Sequence, residues 1–331
     1  MIVGGGPAGS ACAADLVRAG RDVLVLDKAS FPRLKLCAGW ITPEVVRDLA
    51  LDVSRYPHRF NVFSPLLVHA KGLNFKLKGP QYSIRRYEFD AYLLERSGAP
   101  VQQHDVRRIE RQGDGFLIDG TYRCRYLVGA GGTRCPVYRS LFRELNPRAR
   151  YLQAVTLEHE FECRVDDMRC HLWFLDHGLP GYAWYVPKAD GYLNCGLGAM
   201  SAQLKRNPHD LRWHWQRFAE RLAATGLLDS LETDVSGYSY YLRGNVDSVR
   251  AGNALIAGDA AGLATRDLCE GIGPAIASGQ RAARSILTGT TYDLADISAY
   301  SSDSRLARGL LEHLFVGRSR RAARSTSVGT A

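Results

Sequence analysis

The chain opens Met1-Ile2-Val3-Gly4-Gly5-Gly6-Pro7-Ala8-Gly9-Ser10 and reaches Val23-Leu24-Val25-Leu26-Asp27 one helix later. Met1 to Val3 read as the end of a buried strand. Ser10 to Ala19 carry apolar residues at helical spacing, with Gly20 as the stop. Val23 to Leu26 form a continuous apolar run of the kind that parallel sheets bury on both faces. The three pieces make a β-α-β unit. Within its turn Gly4 allows the tight bend, Gly6 lets the backbone approach a pyrophosphate, and Gly9 lets helix and strand pack closely. Phosphates then meet the N–H groups of a helix N-terminus, where the helix dipole favours negative charge. Asp27, at the end of the second strand, is placed to accept ribose hydroxyls and disfavours a 2′-phosphate.

A second glycine constellation lies near the other end: Ala257-Gly258-Asp259-Ala260-Ala261-Gly262 after the apolar run Ala254 to Ala257, then Gly271-Ile272-Gly273 before a helix expected from about Pro274 to Leu287. A plain nicotinamide dehydrogenase has no need of it. A flavin does: Asp259 can accept bonds from ribityl hydroxyls, and the N–H groups of the following helix can face the N1–C2 carbonyl region of the ring. The two constellations together identify the expected cofactor as FAD.

Between them, helices are expected over 42–51 (Thr42 as cap, Pro43 first), 86–97 and 211–228, with strands over 60–84, 116–119 and 126–128 and an aromatic, alternating antiparallel region over 151–199. The expected class is α/β: a Rossmann-like FAD-binding domain of discontinuous segments (1–59, 85–150 and 243–290), an antiparallel-sheet substrate domain (60–84 and 151–242), and a C-terminal helical segment with a basic tail (291–331).

The 331 residues are 46% hydrophobic and 23% charged, which describes an ordinary globular chain. No apolar run reaches the roughly 20 residues of a membrane span, and the N-terminus enters a strand directly, so a cytoplasmic location is expected. The eight cysteines are scattered without a Cys-x-x-Cys pair; no metal site is expected, and they read as reduced thiols. Net charge is +9. With no nucleic-acid motif beside it, this favours phosphates on cofactors, substrates or lipid headgroups over nucleic acid. Residues Ser325 to Ala331 read as disordered.

Several segments carry a resemblance: the glycine turn, Phe31-Pro32-Arg33-x-Lys35-x-Cys37-Ala38-Gly39, Arg86-x-x-x-Asp90, Tyr182-Ala183-Trp184-Tyr185-Val186-Pro187-Lys188, and Gly258-Asp259 through Gly271-Ile272-Gly273. Spread over most of Met1 to Ala283, they resemble the geranylgeranyl reductase family, within the p-hydroxybenzoate hydroxylase-like FAD enzymes. The resemblance implies FAD-dependent reduction of C=C bonds in a prenyl chain. It assigns Ala8 and Asp27 to the adenosine half of FAD, the Val106 backbone to adenine, and Arg86 to the pyrophosphate. Asp259 goes to the ribityl and phosphate, Gly271 and Ile272 to the isoalloxazine, and Cys37 and Ala38 beside the flavin.

In a strand, Tyr182 and Trp184 share one face, so they are candidates for the wall of an apolar substrate cavity. Cys37 is a catalytic candidate, as proton donor or gate, and equally a small packing residue. Two departures stand out. Gly129-Ala130-Gly131-Gly132 lacks the Asp that hydroxylases of the wider group carry, and Tyr182 and Val186 depart from the halogenase pattern Trp-x-Trp-x-Ile-Pro. Arg266 and Asp267 replace a proline-containing stretch and are candidates to alter substrate preference. The expected electron donor is NAD(P)H or a ferredoxin-like protein, and an apolar substrate of prenyl-lipid type suggests peripheral membrane contact. The rivals are an FAD-dependent aromatic monooxygenase and a flavin-binding regulatory protein without turnover.

Overall fold

A computed structural model describes residues 1–77, 79–232, 235–301, 308–309, 312–318 and 320; Ser325 to Ala331 and most of the basic tail lie outside them. Two compact units share the chain. The first comprises Met1–Leu34, Tyr87–Ala149 and Tyr241–Ser301, and the second Lys35–Arg86 and Arg150–Tyr240 with the described residues beyond 307.

The first unit is built on a six-stranded sheet. In spatial order its strands are Arg250–Ala251, Ala254–Ile256, Leu127–Gly129, Ile2–Val3, Val25–Asp27 and Val101–Gln103. All pairings are parallel except the first, an edge hairpin. The opening strand is therefore central: Ile2 lies level with Val128 on one side and Val25 on the other. Ile2, Val25, Leu127 and Leu255 are fully buried, and each such burial contributes about 1.5–3 kcal/mol. A three-stranded antiparallel meander, Ile109–Gln112, Gly115–Ile118 and Tyr122–Cys124, completes the unit.

Two helices of this unit, Pro7–Arg18 and Ile272–Thr288, lie in close contact. A Cβ on Gly279 would stand 2.1 Å from the Ala8 carbonyl oxygen. The second helix starts at Ile272, two residues before its expected start, because Pro274 falls in the first turn, where no donor is needed.

The second unit is a seven-stranded sheet in the order Ser236–Tyr241, Gln153–Glu162, Tyr192–Met200, Gly181–Pro187, His171–Phe174, Leu66–Ala70, Leu73–Leu77. His171–Phe174 and Leu66–Ala70 run parallel, while the central pairings are antiparallel. One face carries Leu157, Ala183, Tyr185, Cys195 and Leu197, packed with Trp215, Phe218 and Leu222 of the helix Leu211–Ala224. Asp210 caps that helix by accepting from the Trp213 N–H at 2.9 Å. The helix stops four residues before its expected end, just ahead of Gly226 at φ +68.

Residues 35–59, expected in the nucleotide domain, group with this second unit. Trp40–Ile41 pairs with Gln81–Ser83, which also pairs with Asn61–Phe63. Thr42, expected as a cap, precedes the helix Pro43–Asp48 but makes no side-chain capping bond. Among the described residues no helix is long and apolar enough to cross a membrane.

Candidate functional site

In the first unit the glycines do what their positions require. Gly4 has φ +110, and a Cβ there would meet the Ala130 backbone at 2.5 Å; one on Gly9 would stand 1.9 Å from the Gly4 oxygen. At Gly6 the nearest atom to a Cβ is Arg33 Nη2, at 3.4 Å. This is a cradle that a side chain would begin to fill. Pro7 starts the helix, so the turn ends in helix N–H groups.

Asp27 is buried at its strand end, where Oδ2 accepts from the Gly5 N–H at 2.8 Å and Oδ1 from the Ala29 N–H at 3.0 Å. It thus ties the turn to the second strand, and each oxygen keeps a further lone pair. Val106 is buried in the same core. The Arg33 guanidinium, which the sequence reading left without a role, is held by Asp90 at 3.2 Å and lies over the Phe31 ring at 4.6 Å. Asp90 is completely buried, so Arg33 is fixed beside the glycine turn.

The second constellation belongs to the same unit. Gly258 has φ +60, and its N–H donates to Ser278 Oγ at 2.9 Å; a Cβ there would meet Ala8 Cβ at 3.2 Å. Asp259 approaches the start of the helix Ile272–Thr288, its Oδ1 lying 3.5 Å from where a Gly271 Cβ would be. At the start of that helix the Gly273 N–H donates to Glu270 Oε1 at 2.6 Å. Burial, reinforced by Asp267 and Asp259, pushes the Glu270 carboxyl up to about 7.

Arg266 and Asp267 tie their loop to remote segments. Arg266 Nε donates to the Arg243 carbonyl at 2.8 Å, and Asp267 Oδ1 accepts from the Leu268 and Ser301 N–H groups, both at 2.9 Å. Arg148, unnoticed in the sequence, bonds the Asp259 and Ala260 carbonyls at 3.2 and 3.1 Å and stacks on Tyr138 at 3.7 Å. It links the turn after Gly131 to the Gly258 turn.

The second unit holds the remaining candidates: Cys37, Ala38, Arg86, Tyr182 and Trp184. Arg86 is buried at the start of the helix Arg86–Arg96. Tyr182 and Trp184 lie side by side, ring centres 5.9 Å apart, with Phe174 stacked on Tyr182 at 5.0 Å. Their strand neighbours are glycines: Tyr182 is level with Gly198 and Trp184 with Gly196. A Cβ on Gly196 would overlap the Trp184 indole at 2.1 Å. The ring therefore lies flat across the glycine backbone, with Nε1–H donated to Asn194 Oδ1 at 2.7 Å.

The same face carries a polar group that the alternation alone did not reveal. Lys188, wholly buried, donates from Nζ to the Ala38 carbonyl; burial lowers its ammonium to about 8. The Cys37 carbonyl accepts from Asn194 Nδ2 at 3.4 Å, and Cys37 Sγ accepts from the Gly39 N–H at 3.4 Å. Glu158 faces Lys188 and Asn194, and its carboxyl is raised by burial to about 7.

Residues 2–66 match the NAD(P)-binding Rossmann-like domain family. The menaquinone reductase of Mycobacterium tuberculosis is 31% identical over 326 residues, spanning 86% of this chain and 75% of that protein. Digeranylgeranylglycerophospholipid reductase 2 of Methanosphaera stadtmanae is 24% identical over 300 residues, 84% of this chain and 75% of its own length. Among solved structures, a geranylgeranyl bacteriochlorophyll reductase-like protein from Thermoplasma acidophilum superposes with a TM-score of 0.73 at 19% identity, over 98% of this chain and 86% of that one. The likeness in structure establishes the shared fold, and the mycobacterial relative extends it to sequence over most of both chains. The chain belongs to the geranylgeranyl reductase family of FAD-dependent oxidoreductases.

Proposed function

We propose that this protein binds FAD and reduces C=C bonds of an isoprenoid or other apolar substrate. The observation that carries the reading is the wall of Trp184 and Tyr182 laid over Gly196 and Gly198, an extended apolar surface with one polar edge. The relatives named for menaquinone and for digeranylgeranylglycerophospholipid support it, since both of those molecules carry polyprenyl chains.

The first unit fits the cofactor. Gly4, Gly6, Ala8 and Gly9 would hold the pyrophosphate turn, with Arg33 as its cation. Asp27 would receive the ribose hydroxyls and the Val106 backbone the adenine. Asp259 would receive the ribityl chain, with Gly258, Gly271, Ile272 and Gly273 shaping the flavin end. By the family resemblance, Arg86 would meet the pyrophosphate, and Cys37 and Ala38 would lie beside the ring. Cys37 is read as a packing residue whose carbonyl Asn194 holds. FAD, when bound and reduced, supplies a hydride. The chain's own residues orient the alkene against Trp184 and Tyr182 and keep water from it. NAD(P)H or a ferredoxin-like protein would provide the electrons. The net charge of +9 would draw the protein to anionic membrane surfaces that hold such substrates.

The test is anaerobic. Chemically reduced holoprotein mixed with menaquinone or a geranylgeranyl lipid should be reoxidised without oxygen, the product gaining one H2 per bond. Reoxidation only on admitting oxygen, with a hydroxylated product, would replace the reading by a monooxygenase. No turnover with any donor would leave a flavin-binding regulatory protein.

A further inference from the structure

We propose that Glu158 delivers the proton in this reduction, held by Lys188 and Asn194 on the sheet face that carries Tyr182 and Trp184. The inference rests on the reductase reading above.

Glu158, Gly196 and Trp184 stand level across three neighbouring strands. Because Gly196 has no side chain, nothing projects between the carboxyl and the indole that lies over that glycine. Glu158 is only 3% exposed, and its Oε2 has no hydrogen-bond partner among the described residues. A glutamate serving the fold alone would have its oxygens satisfied, because an unpartnered buried polar atom costs about 1–3 kcal/mol. Glu160, two residues along on the same face, shows that arrangement: its Oε1 accepts from Arg85 Nε at 3.0 Å. The open oxygen of Glu158 instead adjoins the proposed substrate wall.

The groups facing Glu158 suit a proton donor. Lys188 and Lys35 are the nearby cations and Asn194 the nearby amide, while Glu160 adds a like charge. Lys35 itself is held over the Tyr238 ring at 3.4 Å, and Cys37 lies close to Lys188. With its carboxyl raised to about 7, Glu158 carries a proton in a large share of molecules near neutrality. In the step, the bound and reduced cofactor would supply the hydride for one new C–H bond. The π electron pair of the alkene forms the other with the Glu158 proton as the O–H bond breaks. The carboxylate left behind is balanced by Lys188 and Lys35 and is reprotonated from water. An isolated alkene has no carbonyl to take up charge, so a positioned acid matters more here than in the reduction of a conjugated ketone.

The experiment compares wild type with Glu158→Gln, which keeps the shape, and Glu158→Asp, which keeps the acid on a shorter arm. In the FAD-free protein, infrared difference titration across neutral pH should show the carbonyl stretch of protonated carboxylic acids in wild type, reduced by the Glu158 component in E158Q while the Glu270 component stays. In the holoprotein, FAD affinity and reduction by dithionite should match wild type. Alkene-driven anaerobic reoxidation should fall about 100-fold or more in E158Q, with partial retention in E158D and loss of the pH limb near neutrality. An E158Q protein reoxidised at the wild-type rate, or one whose carboxylic-acid band is as intense as in wild type, overturns Glu158 as donor while the reductase reading stands. Wild-type protein that no alkene reoxidises overturns the reductase reading and this assignment with it.

Discussion

Single atoms separate two glycines of the nucleotide turn. Gly9→Ala places a Cβ 1.9 Å from a backbone oxygen, which cannot yield, whereas Gly6→Ala places one 3.4 Å from the tip of Arg33, which can. The expected outcome is that G9A loses both thermal stability and flavin on purification. G6A should keep its melting temperature without cofactor yet retain less FAD; absorbance of the purified proteins and scanning calorimetry check both. Glu158 gives a pH prediction of defined sign. Its folded value of about 7 lies above the ordinary 4.5 because burial penalises the carboxylate. Its contribution is therefore fully present below about pH 4.5 and is lost as pH rises through about 7, to the extent of roughly 3 kcal/mol. Relative to wild type, E158Q should gain stability between pH 5 and 8, and urea unfolding at a series of pH values measures it. A flat difference would mean the carboxyl is solvated.

At the scale of elements, two close approaches organise the units. Gly279→Ala would drive a Cβ to 2.1 Å from the Ala8 oxygen and prise apart Pro7–Arg18 and Ile272–Thr288. A cost of about 1–3 kcal/mol is expected, read as a lowered unfolding midpoint. Gly196→Ala would displace the Trp184 ring by the same logic; the expected signs are altered tryptophan fluorescence and a raised KM for the alkene with little change in FAD binding. Much of this architecture was legible in the sequence. The β-α-β opening, the Gly258 turn and the alternation of Tyr182 and Trp184 each follow from local spacing. What stayed hidden depends on strand order. Glu158 in an alternating strand reads like any solvent-facing glutamate, and only its register with Gly196 shows it beside Trp184. Arg33 and Lys188 stood in quoted motifs, but their roles rest on Asp90 and on the Ala38 carbonyl, remote in sequence. The bond from the Gly273 N–H to Glu270, three residues earlier, likewise depends on a local fold that spacing does not show.

For the whole molecule, cofactor and stability are linked. FAD at a hundred times its Kd should raise the unfolding free energy by about 2.7 kcal/mol if it binds only the folded chain. The melting temperature should therefore climb with added FAD, and dialysis that strips FAD should reverse the gain. Binding to vesicles of anionic lipid should weaken steeply with salt, as a charge-driven contact must; sedimentation with vesicles at low and high salt tests it. The three-part make-up of the first unit has a further consequence for how the protein is made. Its central strand, Ile2–Val3, leaves the ribosome before the rest of its sheet, but a neighbour of the neighbouring strand, Ala254–Ile256, and the helix packed on Pro7–Arg18 follow about 250 residues later. The sheet Gln153–Glu162 to Ser236–Tyr241 is fully synthesised before either. During translation the second unit can thus settle while Leu127–Gly129 waits with one apolar edge unpaired, a long-range closure that is slow and exposed to aggregation. Cofactor loading is in this sense a late event of biogenesis, and chaperone dependence of nascent chains should concentrate in the interval before residue 288 emerges.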